Sequence, residues 1–227
     1  MTDRTTKTAF LDILRDRRAS YTFLSRVYRE ELSSALLSEL ANDEASTLQE
    51  DTISEGHGIL QEFARRLKGS DLKKVETELA AEYASLFLSA GRHPVFPYES
   101  VYTSEERLVM QEARDEVLSE YREEGLDRIE EFNEPEDHIA IELEFMSYLC
   151  QNTIESMEKG DKEGTLAYLK KQKDFLEKHL MVWAPDFCED LEQATESDFY
   201  KGVAKVTKDY LGLEEETISE LIDEIQR

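Results

Sequence analysis

Apolar residues in this chain recur every third or fourth position, and no segment alternates for long at period two. This narrows the fold most, because residues so spaced share one buried face only in a helix. Phe10, Leu14, Tyr21, Leu24 and Tyr28 form such a stripe, with Arg17 in the skipped position. Leu32–Leu48 predicts a weaker helix, and Ile59–Leu67 a short one stopped at Lys68-Gly69-Ser70. Asp71 is placed to cap a helix carrying Leu72, Val75, Leu79, Tyr83, Leu86 and Phe87. Ile139, Leu143, Met146, Cys150 and Ile154 make a clean stripe. Beyond a turn marked by Gly160 and Gly164, Leu166, Leu169, Leu176, Leu180 and Trp183 make another, stopped at Ala184-Pro185. Phe187 and Leu191 start a further short helix, and Phe199–Leu211 and Glu214–Ile225 are the last two. Nine glycines and four prolines in 227 residues leave these segments largely free of breakers. The expected fold class is all-α, with no sheet.

Two segments interrupt the pattern. Ser89–Tyr102 reads SAGRHPVFPYESVY, and Gly91, Pro94 and Pro97 forbid an ordinary helix there. Its aromatics, Phe96, Tyr98 and Tyr102, either pin the loop to the core, the commoner outcome, or line a binding surface. Thr103 with Glu106 then predicts a capping box and a helix through Leu108, Ala113, Val117 and Tyr121. The second interruption is Glu120–Asp137, nine acids against Arg122 and Arg128, with Gly125 as a breaker. It predicts a connector over residues 125–135. Asn133 with Glu136 reads as another capping box, with Pro135 in the first helical turn.

The formal net charge is −25, from 52 acidic and 27 basic residues. Such a chain repels phosphate backbones, which argues against nucleic acid, and draws in basic partners. Cys150 and Cys188 form no CxxC, which fits a reducing cytosol. No apolar run approaches the roughly 18 residues of a membrane span. Arg17-Arg18 precedes a stretch broken by polar residues and Arg26, so it reads as helix rather than export signal. His57, His93, His138 and His179 form no HExxH or ExxH pair, and no P-loop, GxGxxG or GxSxG occurs. No metal-ligating or catalytic set is therefore indicated, although cysteine nucleophile chemistry stays open with Cys150 on a core stripe. Asp137-His138 carries three readings: helix-start chemistry, where unpaired amides favour the acid; a binding surface; or an acid–base pair without a visible nucleophile.

The stretch NEPEDH at 133–138, followed by an apolar helix, resembles the signature of the TorD/DmsD/NarJ-type chaperones, the redox-enzyme maturation proteins. Three further blocks agree in order and spacing: YASLF at 83–87, HPVFPYESVY at 93–102 and HLMVWAPDF at 179–187. The resemblance covers about Tyr21 to Leu211. It implies a compact multi-helix bundle forming one TorD-like domain over residues 1–227. Within it, residues 1–125 form an N-terminal helical region, residues 125–135 the connector, and residues 136–227 a C-terminal helical region. Some members exchange helices, so a monomer or an exchanged dimer hinged at the connector is expected.

The resemblance also implies a cytoplasmic chaperone that is not an enzyme. It would bind the twin-arginine signal peptide or N-terminal region of a molybdenum-cofactor oxidoreductase until the cofactor is inserted. Positions matching Tyr83, Leu86, Phe87, Asp137 and His138 are tied to signal-peptide binding in the family. A twin-arginine signal has a cationic end and an apolar segment, so its reader needs acids beside an apolar groove. Asp137 is expected to engage the arginines, with Glu134 and Glu136 as weaker partners. Tyr83, Phe87, Phe96, Tyr98 and Tyr102 would border the apolar segment, with Ser100 among the candidates. His138 would orient Asp137 or make binding pH-sensitive. No cofactor is expected; weak GTP binding occurs in some branches of the family, but no nucleotide motif supports it here. Two other readings are a NarJ-like assembly factor for a non-exported client and a helical hydrolase using Asp137-His138.

Overall fold

The computed structural model describes residues 2–42, 54–126 and 133–226. Among these residues the chain is helical, and its only β pairing is an isolated bridge between Tyr98 and His138. The helices are α1 (Thr2–Arg29), α2 (Ser34–Asn42), α3 (Glu55–Leu67), α4 (Leu72–Phe87), α5 (Glu99–Thr103), α6 (Glu112–Glu123), α7 (Ile139–Lys159), α8 (Lys162–Phe175), α9 (Met181–Ala194) and α10 (Asp198–Gln226). A widened π turn, Leu176–Leu180, links α8 to α9. They form two compact units that are not consecutive in sequence. The first comprises residues 1–28, 98–183 and 211–227, the second residues 29–97 and 184–210.

In the first unit α7 and α8 make a helical hairpin. Gly160 ends α7 in the left-handed conformation (φ 75°), and Asp161 caps α8 by accepting from the Gly164 N–H. Phe10, Leu14, Ile154, Leu169 and Leu221 form an apolar cluster among α1, α7, α8 and α10. Arg17, the odd position of the α1 stripe, is just as buried. Its Nε and Nη2 donate to Glu214 at 2.8–2.9 Å, and Nη2 donates to Gln172 at 2.8 Å. Gln172 in turn donates to Thr153 at 2.7 Å. The arginine therefore fills an apolar position because a fixed carboxylate and amide receive its donors.

In the second unit α3 lies close against the first half of α10. A Cβ on Gly56 would meet Lys205 Cβ and Val206 N at 2.7 Å, and one on Gly202 would meet the Leu60 side chain at 2.7 Å. Asp71 caps α4 as expected, accepting from the Lys73 and Lys74 N–H groups. The core is an aromatic run: Phe63 to Phe199 at 5.3 Å between ring centroids, Phe199 to Tyr200 at 5.1 Å, Tyr200 to Phe87 at 5.9 Å and Phe87 to Tyr83 at 5.0 Å.

Several local expectations are corrected. Pro185 does not stop a helix; it lies inside α9, because Trp183, Ala184 and Phe187 are all fully buried and their packing outweighs one lost backbone bond. The last two expected helices are one, α10, which runs through Gly212. Thr103 ends α5 instead of capping a helix, and its hydroxyl donates back to the Glu99 carbonyl. Leu108 therefore lies in a loop, and α6 begins only at Glu112. Neither Asn133 nor Pro135 starts α7: its N-cap is His138. Of the connector over 125–135, residues 127–132 lie outside the described residues, as does the end of the expected Leu32–Leu48 helix.

Candidate functional site

The candidate residues fall into two groups. Tyr83, Leu86, Phe87 and Phe96 belong to the second unit. Tyr83 and Leu86 face its core, Phe87 is half-buried between Tyr83 and Tyr200, and Phe96 is 44% exposed. The loop carrying Phe96 is held to α4 by Val95 N–H donating to the Leu86 carbonyl at 2.8 Å. Buried Val95 and Pro97 thus pin this stretch of the loop, and Phe96 turns outward.

Tyr98, Ser100, Tyr102, Glu134, Glu136, Asp137 and His138 come together in the first unit. NEPEDH forms a tight turn, closed by His138 N–H to the Pro135 carbonyl at 3.1 Å, and it pairs with the start of α5 through Glu99 N–H to the Asp137 carbonyl at 3.0 Å. Asp137 is wholly buried. Its Oδ2 accepts from the Ser100 N–H at 2.8 Å and the Ser100 hydroxyl at 2.5 Å. The acid therefore caps an end, but that of α5 rather than its own helix. Its other oxygen, Oδ1, has no hydrogen-bond donor. A buried carboxylate oxygen without a donor is costly and asks for an explanation.

His138 is the N-cap of α7. Its Nδ1 accepts from the Ala140 N–H at 3.0 Å, and its ring stands edge-on to Tyr98 with centroids 5.2 Å apart. Protonating Nδ1 would break that cap. The flanking acids are engaged: Glu134 accepts from the Tyr98 hydroxyl at 2.7 Å, and Glu136 pairs with Arg114 at 2.5 Å. The buried Tyr121 hydroxyl donates to the Glu136 carbonyl at 3.2 Å.

Below this turn lies a layer of buried polar groups that sequence reasoning missed. His179 Nδ1 is 3.1 Å from Glu99 Oε2, and Trp183 Nε1 donates to Glu142 Oε2 at 3.1 Å. The Tyr102 ring lies over Trp183 with centroids 5.6 Å apart. Burial holds the Glu142 pKa well above its ordinary value, and the nearby carboxyls of Glu99 and Asp137 add to this. The signal for Glu142 was its place three residues after Ile139, on the buried stripe of α7, where a carboxylate must find partners. For Glu99 no periodicity was available, because α5 is too short to show one.

Burial pushes the Cys150 thiol up to about 12 despite nearby Arg17, so it is no nucleophile near neutral pH. Among the described residues no group of three or more His, Cys, Asp or Glu is arranged to hold a metal ion. The site is a set of hydrogen-bonded acids and aromatics on a helical scaffold, and the chain's relatives identify the family. The profile of the nitrate reductase delta subunit family matches residues 50–189. The chaperone protein TorD of Vibrio cholerae is 33% identical over 224 residues, covering 94% of this chain and 97% of its own. That of Photobacterium profundum is 31% identical, covering 74% and 82%. A candidate redox enzyme maturation protein from Archaeoglobus fulgidus shares the fold, with a TM-score of 0.50 at 24% identity over 86% of this chain and 93% of that one. The chain belongs to the nitrate reductase delta subunit family, the TorD/NarJ-type chaperones of redox-enzyme maturation, and is a chaperone rather than an enzyme. Among the described residues no helix is long and apolar enough to cross a membrane.

Proposed function

We propose that this chaperone acts in the cytoplasm on a molybdenum-cofactor oxidoreductase. It binds the twin-arginine signal peptide of the catalytic subunit and withholds that subunit from export until the cofactor is in place. The observation that carries this reading is Asp137. One of its oxygens is fixed by Ser100, and the other is buried without a donor. A guanidinium supplies such a donor together with the opposite charge. Asp137 is wholly buried, so an arginine reaches it only when the 133–137 turn opens. The Tyr98–Glu134 and Arg114–Glu136 contacts are among the side-chain bonds that opening breaks. Freed, Glu134 and Glu136 add negative charge beside the incoming arginines.

The test is calorimetric titration with a synthetic twin-arginine signal peptide and its Lys-Lys variant. Asp137→Asn keeps an acceptor for Ser100 while removing the charge. The expected outcome is binding that favours arginine over lysine, weakens with salt, and drops about tenfold or more in Asp137→Asn without loss of the folded state. Equal binding by Asp137→Asn would reduce Asp137 to a cap for α5. A second reading, an assembly factor for a client that is never exported, draws on the description of the matching family as a nitrate reductase subunit. Binding of an N-terminal peptide lacking arginines, with none to the twin-arginine peptide, would select it.

A further inference from the structure

The segment between α5 and α6 reads SEERLVMQ, residues 104–111, and its capping box and apolar spacing predict helix. It instead holds three large apolar side chains in solvent, in consecutive positions: Leu108 is 52% exposed, Val109 40% and Met110 55%. The other exposed large apolar residues among those described, such as Ile13, Leu88 and Leu213, stand singly. Single exposed leucines are ordinary, whereas a contiguous set marks a surface that something covers.

The segment is also held in shape at a cost. Arg107 and Met110 adopt left-handed backbone conformations, φ 52° and 64°, which disfavour side chains with a Cβ. Fixed contacts offset this. Arg107 N–H donates to the Ser104 carbonyl at 3.2 Å, and its guanidinium lies 5.8 Å from the centre of the Tyr102 ring. Gln111 donates through its side chain to the Val109 carbonyl at 3.1 Å. Its backbone N–H donates to Ser100 Oγ at 3.1 Å, and that hydroxyl donates to Asp137. One chain of hydrogen bonds therefore runs from the end of the apolar triplet to the buried acid.

Charge selects the occupant. Glu105, Glu106, Glu112, Asp115 and Glu116 flank the triplet, and all are exposed. Of the two arginines among them, Arg107 lies over Tyr102 and Arg114 is paired with Glu136 and Asp115. An anionic membrane surface is repelled by such a rim, and a second copy of a chain with net charge −25 brings acid against acid. What fits is a chain segment with an apolar run beside basic residues. We propose that Leu108, Val109 and Met110 are the docking surface for the apolar segment of the client's signal peptide, with the flanking acids facing its basic end. This rests on the peptide-binding reading above and adds where the apolar half of the peptide goes.

The test uses a combined Leu108→Ser, Val109→Thr, Met110→Gln variant and two fluorescent peptides. One carries the arginine pair and the native apolar segment; the other carries the same arginine pair with the apolar segment replaced by Ser and Gln. The wild-type chain should bind the first peptide more tightly. The variant should lose about tenfold or more on it while binding the second as wild type does, with an unchanged melting profile. If the variant binds the native peptide as tightly as wild type, the docking surface is wrong and the arginine reading stands. An equal loss on both peptides also overturns the inference, because the segment then acts through Ser100 on Asp137. No binding of either peptide to wild type overturns both. Should the triple variant fail to fold, Leu108→Ser and Val109→Ser taken singly read the same difference at smaller amplitude.

Discussion

The candidate residues form one set in the sequence, and the structure divides them by chemistry. Tyr83, Leu86 and Phe87 of the second unit stabilise by ring packing and apolar burial. Asp137, His138, Ser100 and Tyr98 of the first unit stabilise by directed hydrogen bonds of 2.5–3.0 Å. Packing is non-directional and insensitive to pH, so the first set tolerates substitution by size. Hydrogen-bonded carboxyls tolerate neither removal of a partner nor a change of protonation. A mutation that lowers peptide affinity has a different meaning in each region. In the aromatic region it must first be cleared of having loosened the core; in the polar region it speaks of recognition once folding is verified.

The largest effect tests whether the aromatic run is the core of its unit. Phe199 is 1% exposed and touches both Phe63 and Tyr200. Phe199→Ala should cost about 3–5 kcal/mol in chemical denaturation, the range for emptying a buried aromatic site. A loss below about 2 kcal/mol would mean that the run is peripheral and that Tyr83 and Phe87 are free to serve a ligand.

The same division explains what is legible in the sequence. Helices with a continuous apolar stripe, α1, α4 and α7, are readable because burial on one face repeats at 3.6 residues. The junctions are not. The capping boxes at Thr103 and Asn133 satisfy a local rule, but α6 begins only at Glu112, α7 is capped by His138, and the start of α5 is held by Asp137, 37 positions away in the chain. Proline at 185 and glycine at 212 read as stops, yet tertiary packing carries both helices through. Among site residues, NEPEDH is visible as a motif, while Glu99, Glu142 and Arg114 gain meaning only from partners brought by the fold. The apolar triplet 108–110 passes for a continuation of a helical stripe, since apolar spacing alone does not report a left-handed backbone.

A smaller, pH-dependent effect tests the polar region. The unfolded chain releases the Glu142 proton near the ordinary value of 4.5, whereas the folded chain holds it to higher pH. Above about 4.5 the folded state therefore binds more protons, and stability must fall as pH rises, by up to about 1.4 kcal/mol per pH unit, until the folded-state pKa is passed. Below the unfolded value both states are protonated and the contribution is flat. Glu99, Asp137 and Tyr121 all face this group and set the upper limit of the window. Glu142→Gln keeps an acceptor for Trp183 but cannot ionise. Melting curves should show the variant gaining on wild type as pH rises above about 5. A constant difference across that range would show that the folded chain does not hold the Glu142 proton above its ordinary value.

The smallest effect falls where the comparison is least balanced, at Phe96. Its sequence context fits both a pin for the loop and a binding surface, and its neighbours Val95 and Pro97 take the buried positions. At 44% exposure much of its ring is already in water, so Phe96→Ser should change stability by no more than about 0.5 kcal/mol, as for other surface substitutions. Thermal denaturation reads this directly. A loss above about 1.5 kcal/mol would return Phe96 to the packed set with Tyr83 and Phe87. A neutral outcome leaves an aromatic ring held outward by the Val95–Leu86 bond and free to be assayed for peptide binding without a folding confound.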